Sequence, residues 1–227
     1  MKKTAGWTLV LFFALTILLV LVFRWIAPPT TAFMLQSCLA AWTDGRDDYR
    51  VRYQWVPWED ISSHAKLAVI AAEDQKFSSH GGFDFESISD AWQERVNGTR
   101  LRGASTITQQ VAKNIFLWPG KSFLRKGMEA YFTLLIELLW PKKRILEVYL
   151  NIVEFGDGIY GVSVAGKIFF KKPAAGLTRW NSAVLAAVLP NPSRLKANRP
   201  SAYVRKRSTW IVKQMRLLGG TVYLKNL

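Results

Sequence analysis

Residues 122–151 read SFLRKGMEAYFTLLIELLWPKKRILEVYLN, and two helices joined at one corner account for the whole stretch. Ser122 offers a side-chain oxygen where an N-cap belongs, and apolar residues recur at helical spacing from there to Leu139. Trp140-Pro141 stops that helix. Proline is tolerated in a first turn, so Pro141 also opens the next helix, Lys142 to Asn151.

The same punctuation continues in both directions. Toward the C-terminus, Gly156-Asp157-Gly158 is a turn and Tyr160 to Phe170 reads as helical until Pro173. Thr178 caps a helix to Leu189, ended by Pro190-Asn191-Pro192, and Ser201 to Leu218 forms a last amphipathic helix closed by Gly219-Gly220. Toward the N-terminus, Thr106 with Gln109 makes a capping box for a helix to about Phe116. Ser62 or Ser63 caps a helix through Ala72, with Ile61, Ala65, Ala68, Val69 and Ala72 on one face. Strand-like alternation is nearly absent. The expected fold class is an all-α domain with irregular loops over residues 55–227, preceded by a connection, 27–54, without assigned structure.

Trp7 to Ile26 is an apolar run interrupted only by Arg24, and a helix of that length spans a bilayer core of ~30 Å. Trp7 and Trp25 fall at the two interfaces, and Arg24 can snorkel to the head groups. Lys2 and Lys3 precede the run, and no Lys or Arg occurs from Trp25 through Gly45. The positive-inside rule therefore makes residues 1–6 a cytoplasmic tail, 7–26 an uncleaved anchor, and the rest extracytoplasmic. A cleaved signal peptide is the rival; no small-x-small site closely follows Phe23, and Pro28-Pro29 obstructs one. Leu35-Gln36-Ser37-Cys38 lies too far past the run to be a lipoprotein acylation site.

The net charge of +15 suits nucleic acid, an anionic membrane or a phosphorylated substrate. An extracytoplasmic position beside a membrane selects phosphate head groups and sets nucleic acid aside. The single Cys38 rules out an intrachain disulfide and a cysteine metal site, and His64 and His80, the only histidines, leave little for zinc.

Three segments carry chemistry. Glu73-Asp74-Gln75-Lys76-Phe77-Ser78-Ser79-His80-Gly81-Gly82 ends an apolar helix on adjacent carboxylates. The negative end of the helix dipole and the neighbouring Asp74 both push Glu73 toward the neutral form, as a general base or acid requires. The plainer reading is a solvated acidic helix end with a histidine capping carbonyls. Gly103-Ala104-Ser105-Thr106 leads into a helix N-terminus, a corner suited to an anion. Gln110, Lys113 and Asn114 then share a face that offers donors to sugar hydroxyls and phosphate; otherwise they form a polar solvent-facing stripe. Arg125 and Glu129, one turn apart, make either a simple ion pair or a phosphate grip in which Glu129 works beside Arg125 or binds magnesium.

Together these segments closely resemble the glycosyltransferase family 51 signatures. The matches are E-D-x-x-F-x-x-H-x-G at Glu73 to Gly82, G-x-S-T-I-T-Q-Q-x-x-K-N at Gly103 to Asn114, R-K-x-x-E at Arg125 to Glu129, and I-L-E-x-Y-L-N at Ile145 to Asn151. The resemblance covers roughly Trp55 to Pro200 and is closest to the monofunctional enzymes of Gram-negative bacteria. It implies a lysozyme-like helical fold in the periplasm, anchored in the inner membrane. It also implies that lipid II is polymerised into β-1,4-linked strands with inversion at the donor carbon and release of undecaprenyl pyrophosphate. On this resemblance Glu73 is the base for the acceptor 4-hydroxyl, and Glu129 is the second essential carboxylate. Lys113 and Arg125 grip the pyrophosphate. Ser105, Thr106, Gln109, Gln110 and Asn114 line the cleft, while Asp74, Phe77 and His80 shape the surroundings of the base. Glu147 is structural. Ala165-Gly166 and Phe169-Phe170 depart from the family's Ala-Ala and Tyr-Phe as packing changes.

No cofactor is obligatory; a magnesium or manganese ion at the pyrophosphate is an optional addition. The expected partners are lipid II, the growing glycan, membrane lipid, and cell-division or elongation proteins. Ser63-His64-Ala65-Lys66 fits S-x-x-K, but no S-x-N or K-T-G follows, so crosslinking is not expected. Phe116, Leu117, Trp118, Phe123 and Leu124 beside Lys121, Arg125 and Lys126 suit partial insertion into the membrane surface. A lytic enzyme cutting the same polymer and a silent lipid II-binding scaffold are the rival functions.

Overall fold

The computed structural model describes residues 2–96, 105–120 and 122–227. Helix α1, Lys2–Trp25, contains the apolar run, with mean hydropathy 2.6 over Gly6–Trp25. Helix α2, Ala32–Thr43, occupies the connection whose structure the sequence left open; Thr31 caps it by accepting from Met34 N. It escapes pattern reading because it carries no charge and is apolar almost all round, burying Met34 and Ala41 while exposing Leu35, Leu39 and Trp42.

After a short strand β1, Arg52–Tyr53, come α3, Ser63–Glu73, and α4, Phe85–Val96. Ser62 caps α3. Asp84 accepts from Ser87 N at 3.0 Å and opens α4, a helix not assigned from the sequence although Phe85, Ile88, Trp92 and Val96 recur at helical spacing. Helix α5, Ile107–Phe116, has the full Thr106/Gln109 capping box, and α6, Phe123–Leu139, is capped by Ser122. Then follow α7, Lys142–Ile152, the strands β2, Glu154–Gly156, and β3, Ile159–Tyr160, and the single turn α8, Val162–Ala165. Helices α9, Arg179–Val188, with its Thr178 cap, and α10, Ala202–Leu217, capped by Ser201, complete the order.

The fold is helical as expected, with one small sheet ordered β1-β3-β2, parallel across β1/β3 and antiparallel across β2/β3. Strands of two or three residues are too short to show alternation. The expected helix from Tyr160 is corrected by that sheet: Tyr160 pairs with Tyr53 and Glu154. Gly161 has φ +82, and a Cβ there would lie 2.5 Å from the Asn151 carbonyl oxygen, so the helix begins only at Val162. Beyond Ala165 the turns widen into a π segment, Gly166–Phe170, which Lys171 ends in the left-handed region.

Helix α3 buries more than the one face its spacing suggested. Leu67 and Ile70 are as inaccessible as Ala68 and Ala71, because α9 and α10 both pack on it. Helix α7 is likewise enclosed from Ile145 through Ile152. Two of its polar side chains brace the segment before α3. Asn151 bonds Val56 N and O at 2.8 and 2.9 Å, while Glu147 accepts from Trp58 N at 2.8 Å and pairs with Arg144.

The anchor helix packs against the domain. Trp140 Nε1 donates to Val20 O, the Arg144 guanidinium bonds Phe23 O and Ile26 O, and Thr16 meets Tyr131 OH at 2.8 Å. Arg24 turns back to the Leu139 carbonyl, where the unpaired end of α6 accepts it. The C-terminal half of α1 thus runs beside α6, with Leu134 and Leu138 of α6 exposed.

Candidate active site

Glu73 is the last residue of α3, and its side chain is 15% exposed. Gln110 Nε2 of α5 donates to its Oε2 at 3.0 Å, and Arg207 Nη2 of α10 lies 3.7 Å from its Oε1. Burial is the main cause that pushes this carboxyl above the ordinary glutamate range, and nearby Asp74 adds a smaller push in the same direction. Gln110, Arg207 and Lys113 offset part of it by favouring the anion. The direction agrees with the sequence-based expectation; the leading cause is desolvation rather than the dipole or the like charge.

Asp74 has a different task. Its side chain is buried, with Oδ2 accepting from Ile107 N at the start of α5 and Oδ1 bonded to His80 Nε2 at 2.8 Å. Gly82 N donates to His80 Nδ1, which places the ring proton on Nε2. Thr106 Oγ1 closes the loop by donating to Gly82 O at 2.7 Å. Phe77 packs edge-on to His80 and is fully buried. The clamp fastens the C-terminus of α3 to the N-terminus of α5, so that Glu73 and the α5 side chains share one wall. At Gly82, φ is +88 and a Cβ would come within 2.8 Å of Thr133 and Glu137 side chains. We expect Gly82→Ala to destabilise the fold by about 2–3 kcal/mol, read as a lower melting temperature; unchanged melting would show the turn to be compliant.

The cationic half of the site is built on α5 and α6. Glu129, buried, takes Arg125 Nη1 on Oε2 at 2.7 Å and Lys126 Nζ on Oε1. Lys113, one turn beyond Gln110, lies in the field of Glu129 first and of Glu73 more weakly. Burial pulls its ammonium below the ordinary lysine range, with Glu129 opposing. Arg125 Nε is buried and has no hydrogen-bond partner among the described residues. Three cations around Glu129 leave a surplus of positive charge beside Glu73, whose carboxyl burial pushes upward. Each Glu129 oxygen faces a cation, Oε2 that of Arg125 and Oε1 that of Lys126.

The sequence-derived residues thus divide. Glu73, Gln110, Lys113, Arg125 and Glu129 come together. Thr106 and Gln109 are spent on the capping box, and Asp74, Phe77 and His80 stand behind the base. Ser105 is exposed at the mouth of α5, Asn114 is buried, and Gly103 and Ala104 lie outside the described residues. Two contacts were not anticipated. Arg207 belongs to the basic last helix, whose cations the sequence could not place. Tyr149, in the fourth motif, donates to Gln110 Oε1 at 3.0 Å.

Large apolar side chains rim this region. Phe123 is 98% exposed, Leu124 and Trp118 are exposed with it, and Lys121 of the same stretch lies outside the described residues. Each such ring is worth about 1.5–3 kcal/mol when buried in lipid. Trp118→Ser with Phe123→Ser, in protein lacking residues 1–26, should reduce co-sedimentation with vesicles more than tenfold; equal co-sedimentation would remove the insertion.

The description of the family profile that matches residues 41–216 is Transglycosylase. A protein of Mannheimia succiniciproducens is 53% identical over all of this chain and 92% of its own length. One of Pseudomonas putida is 53% identical over 95% of this chain and 91% of its own. One of Xanthomonas euvesicatoria is 51% identical over 95% of this chain and 87% of its own. All three bear the name biosynthetic peptidoglycan transglycosylase.

Proposed function

The chain belongs to the transglycosylase family, and from that we propose that it polymerises lipid II into peptidoglycan glycan strands. The observation that carries the reading is the pairing of a buried carboxylate, Glu73, with the cation cluster of Lys113, Arg125 and Lys126 along the α5/α6 wall. In the reaction, Glu73 removes the proton of the acceptor 4-hydroxyl. Its Oε2 is held by Gln110, and Oε1, with Arg207 Nη2 no nearer than 3.7 Å, is the oxygen that takes that proton.

The oxygen freed of its proton attacks the donor anomeric carbon, and the bond to pyrophosphate breaks. Undecaprenyl pyrophosphate leaves as an anion, so cations replace the general acid that a glycosidase needs. One displacement from an α-linked donor inverts the centre and gives a β-1,4 link. Lys113 and Arg125 hold the phosphates, with Arg125 oriented by Glu129. Phosphate charge is met by these side chains.

The anchor and the lysines before it support a single-pass inner-membrane protein with the catalytic domain in the periplasm. Crosslinking is not part of the reading: Lys66 of the S-x-x-K match is buried with its ammonium 4.0 Å from the Trp58 ring, and among the described residues no hydrogen bond joins it to Ser63.

The test is incubation of the detergent-purified full chain with labelled lipid II. Long strands that lysozyme digests would support the synthase. Fragments released from sacculi instead would make it a lytic enzyme, and bound but unconverted lipid II would make it a scaffold.

A further inference from the structure

The bond that Gln110 gives Glu73 depends on which way round the amide lies. A carboxylate only accepts, so Gln110 serves an ionised Glu73 with Nε2 toward it, as in the 3.0 Å contact. That orientation sends Oε1 away from Glu73 into the interior, where it needs a donor. Tyr149 OH, on the enclosed helix α7, supplies one at 3.0 Å.

We propose that Tyr149 is a positioning residue for the reaction: its hydroxyl holds the Gln110 amide in the orientation that donates to Glu73, and so favours the ionised base. The proposal rests on the reading of Glu73 as base. Burial, with Glu73 and Asp74 adding to it, holds the Tyr149 phenol well above its ordinary range, so it remains a donor wherever the enzyme works.

The consequence of removing the hydroxyl has a definite sign. In Tyr149→Phe the amide carbonyl is buried without a donor. Turned toward Glu73 once that carboxyl is protonated, the carbonyl accepts its proton, and Nε2 then faces the phenyl ring, over which an N–H can lie. The neutral form of the base is then favoured. The other groups facing Glu73 are Asp74 at the end of its own helix, with His80 behind it, Lys113 on α5, and Arg207 on α10. None of them is altered by the substitution.

The experiment is the pH dependence of strand synthesis by the full-length protein, for wild type, Tyr149→Phe, Gln110→Met and the double variant. Tyr149→Phe should move the acidic limb upward by about 0.5–1 pH unit, with the rate on the alkaline side within about threefold of wild type. In the Gln110→Met background the same substitution should move the limb no further, because the relay is already cut. A purely structural role would lower the rate equally at every pH, together with the melting temperature, and would overturn the proposal. So would a shift in the double variant equal to the sum of the singles. Glu73→Gln runs alongside. Activity retained in that variant would remove the base and the relay together, whereas an inactive Glu73→Gln with an unmoved limb in Tyr149→Phe would remove the relay alone.

Discussion

Glu73→Gln should lower the rate of strand synthesis by about 10²–10⁴-fold while lipid II still binds, because glutamine keeps the shape of the site and loses only the proton acceptor. The pH profile carries the sharper signature. Burial raises the folded carboxyl above its ordinary range, so wild-type activity declines as pH falls through that raised value, and the glutamine variant has no such limb. Stability should change in the opposite sense to activity. Between the ordinary and the raised value the folded chain binds more protons than the unfolded chain, so stability falls as pH rises through that window and stays lost at neutrality. The amide escapes that penalty. Glu73→Gln should therefore melt higher than wild type at neutral pH, by roughly 2–4 °C for each kcal/mol recovered, and not higher in acid. A lower melting temperature at neutral pH would show that the Gln110 and Arg207 contacts outweigh the cost of burying the charge.

Lys113→Met should lower kcat by about 10²–10³-fold, the usual cost of losing one donor from a developing anion. Methionine keeps most of the apolar stem and removes the charge, so folding should survive. Burial depresses the lysine's pKa, which places a second limb on the alkaline side: wild-type activity declines as pH rises through that lowered value. The methionine variant should lack this limb and keep the acidic one. Kinetics with labelled lipid II across pH decide it. A loss of less than about fivefold would pass the leaving group to Arg125 and Lys126.

These expectations combine two kinds of information. The caps at Ser62, Thr106, Ser122 and Thr178 were legible because each is a contact between a side chain and a backbone group two or three residues away. The pair Arg125–Glu129 was legible for the same reason, since one helical turn brings the two together in any fold. The place of Glu73 at a helix end was legible from the apolar spacing that precedes it. Helix α2 was not, because an uncharged, almost wholly apolar segment has no polar face to mark its period. The sheet was not, because its strands are too short to alternate.

By itself, then, the sequence determined what its local chemistry could state: an apolar span, a series of capped helices, and which charged groups stand one turn apart. Tertiary structure alone decided what surrounds them. Glu73 is buried where the Gln110 side chain of α5 and the Arg207 side chain of α10 reach the end of α3, and no residue near it in the chain reports that. The arrival of Arg207 at Glu73, the Tyr149 donation through Gln110, and the docking of the anchor on α6 join elements far apart in sequence. Such contacts follow from how the helices pack, which a pattern of neighbouring residues does not encode.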